Sequence, residues 1–239
     1  DIKKALAQHS GNIGDINLAL IAALSAAGLD AEALILSTRD NGTINNLYPV
    51  ISDFNYVVAK LNIDGTSYLL DASEENLPFG LLPLRCMNDK ERVINLKKES
   101  YWYDLKASQK YFNIYMLDGD LTKEGKITGT LRISSRGYSA YNKRNRISEA
   151  GTIEQYVEKL DEGMPTLKIL HQEVQNVENL DDDLVETYKI EMDLGGNMNA
   201  DQYYFNPYLI DKQVKNPFNL NERLYPVDLG SMSDHRLQI

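Results

Sequence analysis

The chain has 239 residues, of which 43% are hydrophobic, and this is enough for one large domain or two domains of ordinary size. Its formal net charge of -10 repels phosphate backbones and anionic lipids, so nucleic acids and membrane surfaces are not expected as partners. The one cysteine, Cys86, excludes an internal disulfide, and no apolar run approaches the roughly 20 residues of a membrane-spanning helix. Because the sequence starts at Asp1 without a methionine, we expect it to be a piece of a longer protein, and the lack of a visible signal peptide says nothing about its compartment.

The first half of the chain predicts a helix, a strand and a hairpin. Residues 16–29 are rich in Ala and Leu and predict a helix that ends at Gly28. This helix is apolar on nearly every side, which predicts burial on most sides. Asp64 and Gly65 are a strong signal for a two-residue hairpin turn. The strand and the two arms of the hairpin are predicted at Ala31–Arg39, Phe54–Ile63 and Thr66–Ala72.

The second half predicts an antiparallel β domain with one or two short helices. Its strands are predicted at residues 111–121, 126–135, 167–177 and 184–194. Thr152–Gly163 predicts a helix with Thr152 as its N-cap. A short polar helix is predicted at Tyr138–Arg146, and we expect its tyrosines to pack inward although it also carries basic residues. The change from a helix–strand–hairpin pattern to consecutive antiparallel strands predicts a domain boundary near residue 105, which gives domains at 1–105 and 106–239.

Two stretches of the first half, GNIGDINLALIAALSAAGLDAEALILSTR and FNYVVAKLNIDGTSYLLDAS, resemble the transglutaminase-like superfamily. In active members, a cysteine two residues before an aspartate lies on the first turn of a helix. A histidine after an asparagine precedes a β run, and an aspartate follows the hairpin. The helix N-terminus stabilises the thiolate, the histidine takes the thiol proton, and the carboxylate holds the imidazole in its reactive tautomer.

Placed residue by residue, the resemblance puts Ile13 at the nucleophile position, Tyr56 at the base position and Asp71 at the third position. Ile13 has no nucleophilic atom, and a tyrosine with an ordinary pKa of about 10 is no base at neutral pH. The resemblance therefore implies a catalytically inactive member, a pseudoenzyme without a cofactor or a metal ion. Tyr56, Asp71 and Asn55 are then the candidate binding residues.

The segments LPFGLLPLRC, NPF and RLYPVDL extend the resemblance over nearly the whole chain. They are similar to bacterial proteins in which a transglutaminase-like domain lies between two domains of unknown function, DUF3857 before it and DUF3858 after it. The resemblance implies an α+β chain, with a truncated papain-like lobe at 1–105 and a β-sandwich-like domain at 106–239. It also implies a non-catalytic scaffold or binding module, exported to the periplasm or cell surface of a Gram-negative bacterium.

Two alternatives are open at this point. The first is a thiol enzyme for acyl transfer or peptide hydrolysis that uses Cys86, which follows the basic residue Arg85, or groups outside this sequence. The competing interpretation of Cys86 is a buried, inert thiol. The tyrosine-rich stretches QYYF at 202–205 and NPYL at 206–209 suggest a carbohydrate- or peptide-binding face, because aromatic rings offer broad apolar contact with a polar tip. Core packing explains the same tyrosines equally well.

Overall fold

The computed structural model describes residues 2–48, 50–95, 98–164, 166–193 and 227–239, together with residues 216, 218 and 222. The described residues form four α-helices and ten strands in two five-stranded sheets. The chain is therefore α+β with β-sandwich-like character, and the class predicted from the sequence is confirmed at this level. It divides into two compact units, Asp1–Gln109 and Lys110–Ile239. No helix within the described ranges is long and apolar enough to cross a bilayer.

The first unit is an antiparallel sheet with two helices, and strand order in the sheet is β3-β2-β1-β4-β5. Short 3-10 turns at Ile51–Asp53 and Leu84–Cys86 interrupt the connections. The helices are α1 (Ile2–Gln8) and α2 (Ile13–Ala26), and the strands are β1 (Asp30–Leu36), β2 (Tyr56–Ile63), β3 (Thr66–Leu70), β4 (Lys90–Ile94) and β5 (Tyr101–Asp104).

Helix α2 forms where the sequence predicts a helix, but it begins three residues earlier. The side chain of Asn12 caps it by accepting a hydrogen bond from the Asp15 N–H at 2.8 Å, and Gly28 follows its C-terminus with φ of 83°. The predicted burial on most sides is wrong. Of the residues of α2, all of them described, Asn17 alone is fully buried, and Leu18 is 39% exposed. The reason is that α2 packs mainly on β1, β2 and α1, so the side away from them faces outward.

Strand β1 ends at Leu36, three residues before its predicted end at Arg39. The next two backbone N–H groups bond to side chains instead of to a neighbouring strand. Ser37 N donates to Glu91 Oε2 at 3.1 Å, and Thr38 N donates to Asn55 Oδ1 at 2.9 Å. These side-chain acceptors satisfy the backbone where the ladder stops.

The second unit is a sheet of order β10-β6-β7-β9-β8 with two helices. All its strand pairs are antiparallel except β10–β6, which is parallel. The sequence analysis did not predict β10, because its residues SDHRLQ show no apolar alternation. The strands are β6 (Tyr111–Leu121), β7 (Lys126–Gly137), β8 (Leu167–Gln175), β9 (Leu184–Asp193) and β10 (Ser233–Gln238), and the helices are α3 (Tyr138–Ala150) and α4 (Ile153–Glu162).

Helices α3 and α4 both pack against one face of this sheet. Thr152 caps α4 as predicted, accepting a hydrogen bond from Gln155 N at 3.2 Å. The predicted inward packing of the α3 tyrosines is confirmed, since Tyr138 is 1% exposed and Tyr141 is 6% exposed. Leu237 of β10 packs, half-buried, against the apolar core between helices and sheet. The buried residues of this core come from the other elements of the unit and include Tyr115, Leu117, Leu131, Ile133, Ala140, Ile147, Tyr156, Val157, Leu167, Tyr188 and Ile190.

Arg144 of α3 is a basic residue that turns into the protein rather than into solvent. Its side chain is 1% exposed, and its guanidinium donates to the backbone carbonyls of Asn176, Asn179 and Asp182 at 2.9, 2.7 and 2.9 Å. It therefore holds the turn between β8 and β9 by satisfying carbonyl groups that strand pairing leaves over.

Candidate functional site

The structure brings Tyr56 and Asp71, two of the three predicted triad positions, into direct contact. Tyr56 is the first residue of β2 and Asp71 directly follows β3, so antiparallel pairing of these strands places both at the same end of the sheet. The Tyr56 hydroxyl donates to Asp71 Oδ2 at 2.7 Å. Both residues are buried, with 7% and 8% exposure. A phenol thus occupies the place from which a base would contact the carboxylate.

Donors from α2, β2 and Ser73 surround the Asp71 carboxylate. Its Oδ1 accepts from Asn17 Nδ2 at 2.8 Å, from Ser73 N at 2.9 Å and from Ser73 Oγ at 2.6 Å. Its Oδ2 accepts from Tyr56. Both oxygens of this buried carboxylate are therefore engaged by donors of the protein itself.

Asn17 connects α2 to the sheet, and the sequence analysis did not identify it. Its Nδ2 also donates to Val57 O at 2.9 Å, and its Oδ1 accepts from Ala72 N at 2.8 Å. It has no exposed surface. The available signal was a single amide in the apolar run INLALIAAL, because a polar residue inside an apolar helix needs buried partners.

Arg85 covers the Tyr56–Asp71 pair from the turn Leu84–Cys86. Its Nη2 donates to the Tyr56 hydroxyl at 3.0 Å, its guanidinium carbon lies 5.4 Å from the centre of the Tyr56 ring, and it forms an ion pair with Glu74. The Tyr56 oxygen is therefore both donor and acceptor within the network. Burial, the hydrogen bond to Asp71 and the negative charge of that carboxylate raise the pKa of Tyr56, so the phenol stays protonated at every physiological pH.

Ile13, at the predicted nucleophile position, and Asn55, a predicted binding residue, both have structural roles. Ile13 is the first residue of α2, where it packs, half-buried, against the apolar cluster that contains Tyr56, Leu34, Leu36 and Val58. Asn55 is exposed, but both polar atoms of its side chain bond to Thr38: Oδ1 accepts from Thr38 N at 2.9 Å, and Nδ2 donates to Thr38 Oγ1 at 2.8 Å.

Cys86 is a buried thiol within the same apolar cluster. It has no exposed surface, and burial raises its pKa to about 12, although the positive charge of Arg85 acts in the opposite direction. The thiol is therefore protonated at neutral pH, and a protonated thiol is a poor nucleophile.

Glu91 of β4 is a second buried carboxyl group that the sequence analysis missed. It has no exposed surface, and only one of its oxygens is bonded, with Oε2 accepting from Ser37 N at 3.1 Å. Its Oε1 has no hydrogen-bond partner among the described residues. Burial, with a smaller contribution from the negative charge of Asp89, raises the pKa of Glu91 to about 8. This carboxyl group therefore holds its proton to a higher pH than an ordinary glutamate does.

The remaining sequence-predicted site lies outside the described residues. The tyrosine-rich stretches at 202–205 and 206–209 belong to that part of the chain. Within the described ranges, no group of three or more His, Cys, Asp or Glu side chains is arranged to hold a metal ion.

Comparison of the chain with protein-family models, with curated proteins and with solved structures gives no match in any of the three.

Proposed function

We propose that the first unit is a catalytically inactive transglutaminase-like lobe, and that the chain is a scaffold or binding module of an exported bacterial protein. The observation that carries this proposal is the hydrogen bond from Tyr56 to Asp71, with Asn17, Ser73 and Arg85 completing the network around it. The polar groups at the base position and the third position are here engaged in hydrogen bonds that join helix, strands and turn.

The chemistry of the remaining groups supports the same proposal. The nucleophile position is occupied by Ile13, a side chain without a reactive atom, packed on apolar neighbours. The one thiol of the chain, Cys86, is buried, and burial keeps its pKa far above neutrality. An enzyme that used Cys86 would need a base in contact with it and a path for substrate, and a fully buried thiol offers neither.

The direct test is an activity assay on the purified chain. We expect no amine incorporation into a glutamine-containing peptide and no peptide hydrolysis, for the chain as it is and after alkylation in denaturant followed by refolding. Cys86→Ala is the matched control, since it removes the thiol and changes little else. Turnover by the unmodified chain that disappears in Cys86→Ala would overturn the proposal and identify Cys86 as the nucleophile.

A gain-of-function test asks whether only two side chains are missing. Ile13→Cys combined with Tyr56→His restores the residue types of the triad beside Asp71. We expect a folded but less stable protein with no multiple turnover. Arg85, which lies 3.0 Å from the Tyr56 oxygen, would oppose protonation of an imidazole there, and the smaller ring would leave a void that costs about 1–3 kcal/mol. Sustained turnover by the double variant would show instead that the lobe retains a working cleft.

A further inference from the structure

The second unit encloses a cavity of about 150 Å³ between α3, α4 and the inward face of its sheet. Most of its wall is apolar and comes from both helical and strand segments. The apolar lining residues are Leu131, Ile133, Leu160, Met164, Leu167 and Ile169. An apolar cavity of this size is large enough to hold one benzene-sized molecule.

One end of the cavity carries a buried polar cluster. Glu186 of β9 has no exposed surface, and its Oε1 accepts from the hydroxyls of Tyr156 and Tyr188, each at 2.8 Å. Its Oε2 forms an ion pair with Lys143 of α3. Burial raises the pKa of both tyrosines, so both phenolic protons are present and both are given to Glu186. The tyrosines therefore offer no donor to a molecule in the cavity.

The cations at this end outnumber the anions. Lys143 neutralises Glu186, whereas Arg146, three residues later on α3, lines the same cavity and forms no ion pair with any described residue. Residues three apart on a helix lie on one face, which places both cations at the same side of the cavity. Arg146 is also exposed, so the cavity reaches the surface at this residue.

We infer that this cavity binds a small aromatic monocarboxylate of about the size of benzoate. The ring fits the apolar wall formed by Leu160, Met164 and Ile169, and the carboxylate meets Arg146 at the opening, where two parallel N–H···O bonds are available to it. Arg146 supplies donors, as do the N–H groups of Lys143 that bond to no described residue, whereas Tyr156 and Tyr188 give theirs to Glu186. The site therefore selects an anion over a neutral ligand or a cation.

The test uses benzoate as the probe and methionine methyl NMR of the full chain as the readout. Met164 lines the cavity, whereas Met116 of β6 is 42% exposed and does not line it. We expect benzoate to shift the Met164 methyl signal saturably in the millimolar range, as suits a ligand of about nine non-hydrogen atoms, and to leave Met116 unchanged. Benzyl alcohol, the neutral analogue, should bind at least about five-fold more weakly, because it lacks the charge that Arg146 pairs with.

Two variants separate the charge from the shape. Arg146→Gln should weaken benzoate binding about five-fold or more and leave benzyl alcohol binding unchanged, and Arg132→Gln, an exposed arginine of β7 outside the cavity, should alter neither. Leu160→Phe fills the cavity and should abolish both. The inference is overturned if Met164 does not move at ~50 mM benzoate, if benzyl alcohol binds as tightly as benzoate, or if Arg146→Gln behaves like Arg132→Gln. Because Arg146 is exposed, its variant tests the site even where Leu160→Phe fails to fold.

Discussion

Replacing Glu91 by glutamine should change how the stability of the first unit depends on pH. Glu91 is fully buried, one of its oxygens has no partner among the described residues, and its pKa rises from an ordinary value of 4.5 to about 8. In the unfolded chain the same carboxyl group is exposed to water and ionises near its ordinary pKa. Between these two pKa values, the folded chain therefore keeps this carboxyl group protonated at a pH at which the unfolded chain has ionised it.

The sign and size of the effect follow from the two pKa values. A group whose pKa is higher in the folded state contributes stability that is fully present below about pH 4.5 and is lost as the pH rises to about 8. At about 1.4 kcal/mol for each tenfold change in proton affinity, the interval corresponds to an upper limit on the order of 5 kcal/mol. Glutamine does not titrate in this range, so the variant does not lose this part of its unfolding free energy as the pH rises.

Urea unfolding followed by tryptophan fluorescence measures this directly, because Trp102 of β5 is the one tryptophan of the chain and lies on the strand next to Glu91. The unfolding free energy of Glu91→Gln minus that of the wild type should rise by several kcal/mol from about pH 5 to about pH 9. Taking the difference cancels all other titrating groups, and following its change with pH also cancels the constant cost of the new amide. Glu99→Gln, at an exposed glutamate, is the control and should track the wild type. Parallel curves for Glu91→Gln and the wild type would refute the argument.

Three further variants or reactions test other parts of the structure. Tyr56→Phe removes the hydrogen bond to Asp71 and should cost about 1–3 kcal/mol in the Trp102-detected transition, and an unchanged midpoint would mean that the network adds nothing to stability. Cys86 should react with an aromatic disulfide reagent only after unfolding, since burial raises its pKa to about 12; fast modification of the folded chain at about pH 8 would contradict this. Arg144→Lys loses the guanidinium fork that serves three carbonyl groups and should destabilise the second unit by about 2–4 kcal/mol in unfolding followed by circular dichroism, and a loss within error of zero would show that the buried guanidinium is dispensable.

The elements that the sequence predicts well are those fixed by a few neighbouring residues. Asp64 and Gly65 both adopt positive φ, at 49° and 79°, which is the conformation that a two-residue hairpin turn needs. Thr152 caps α4 through a contact three residues away. The start of α2 is an instance of a missed local signal, since its cap Asn12 was not identified and the helix was predicted to begin at Ile16. A single sequence contains such signals because the interacting residues are only a few positions apart in the chain.

The candidate site depends on contacts that no local pattern encodes. Asn17 and Asp71 are 54 residues apart, Tyr56 and Arg85 are 29 apart, and all meet because strand pairing and helix docking bring them together. The sequence places Asp71 after the hairpin but leaves it isolated, since its partners depend on tertiary structure. The burial of Glu91 is hidden for the same reason: glutamate is almost never fully buried, and the segment KERVI contains no signal that this one is.

The parallel pairing of β10 with β6 has a consequence for the order in which the second unit is completed during synthesis. Ser233 pairs with Tyr111, so β6 is synthesised roughly 120 residues before the strand that pairs with it in parallel. Before β10 is made, β7 pairs with one edge of β6, and the opposite edge is open over the 11 residues of the strand, including Phe112 and Ile114. An open edge of this kind pairs readily with other chains. A nascent chain, or one clipped before Ser233, is therefore expected to self-associate through β6, and pairing with β10 covers that edge from Tyr111 to Met116.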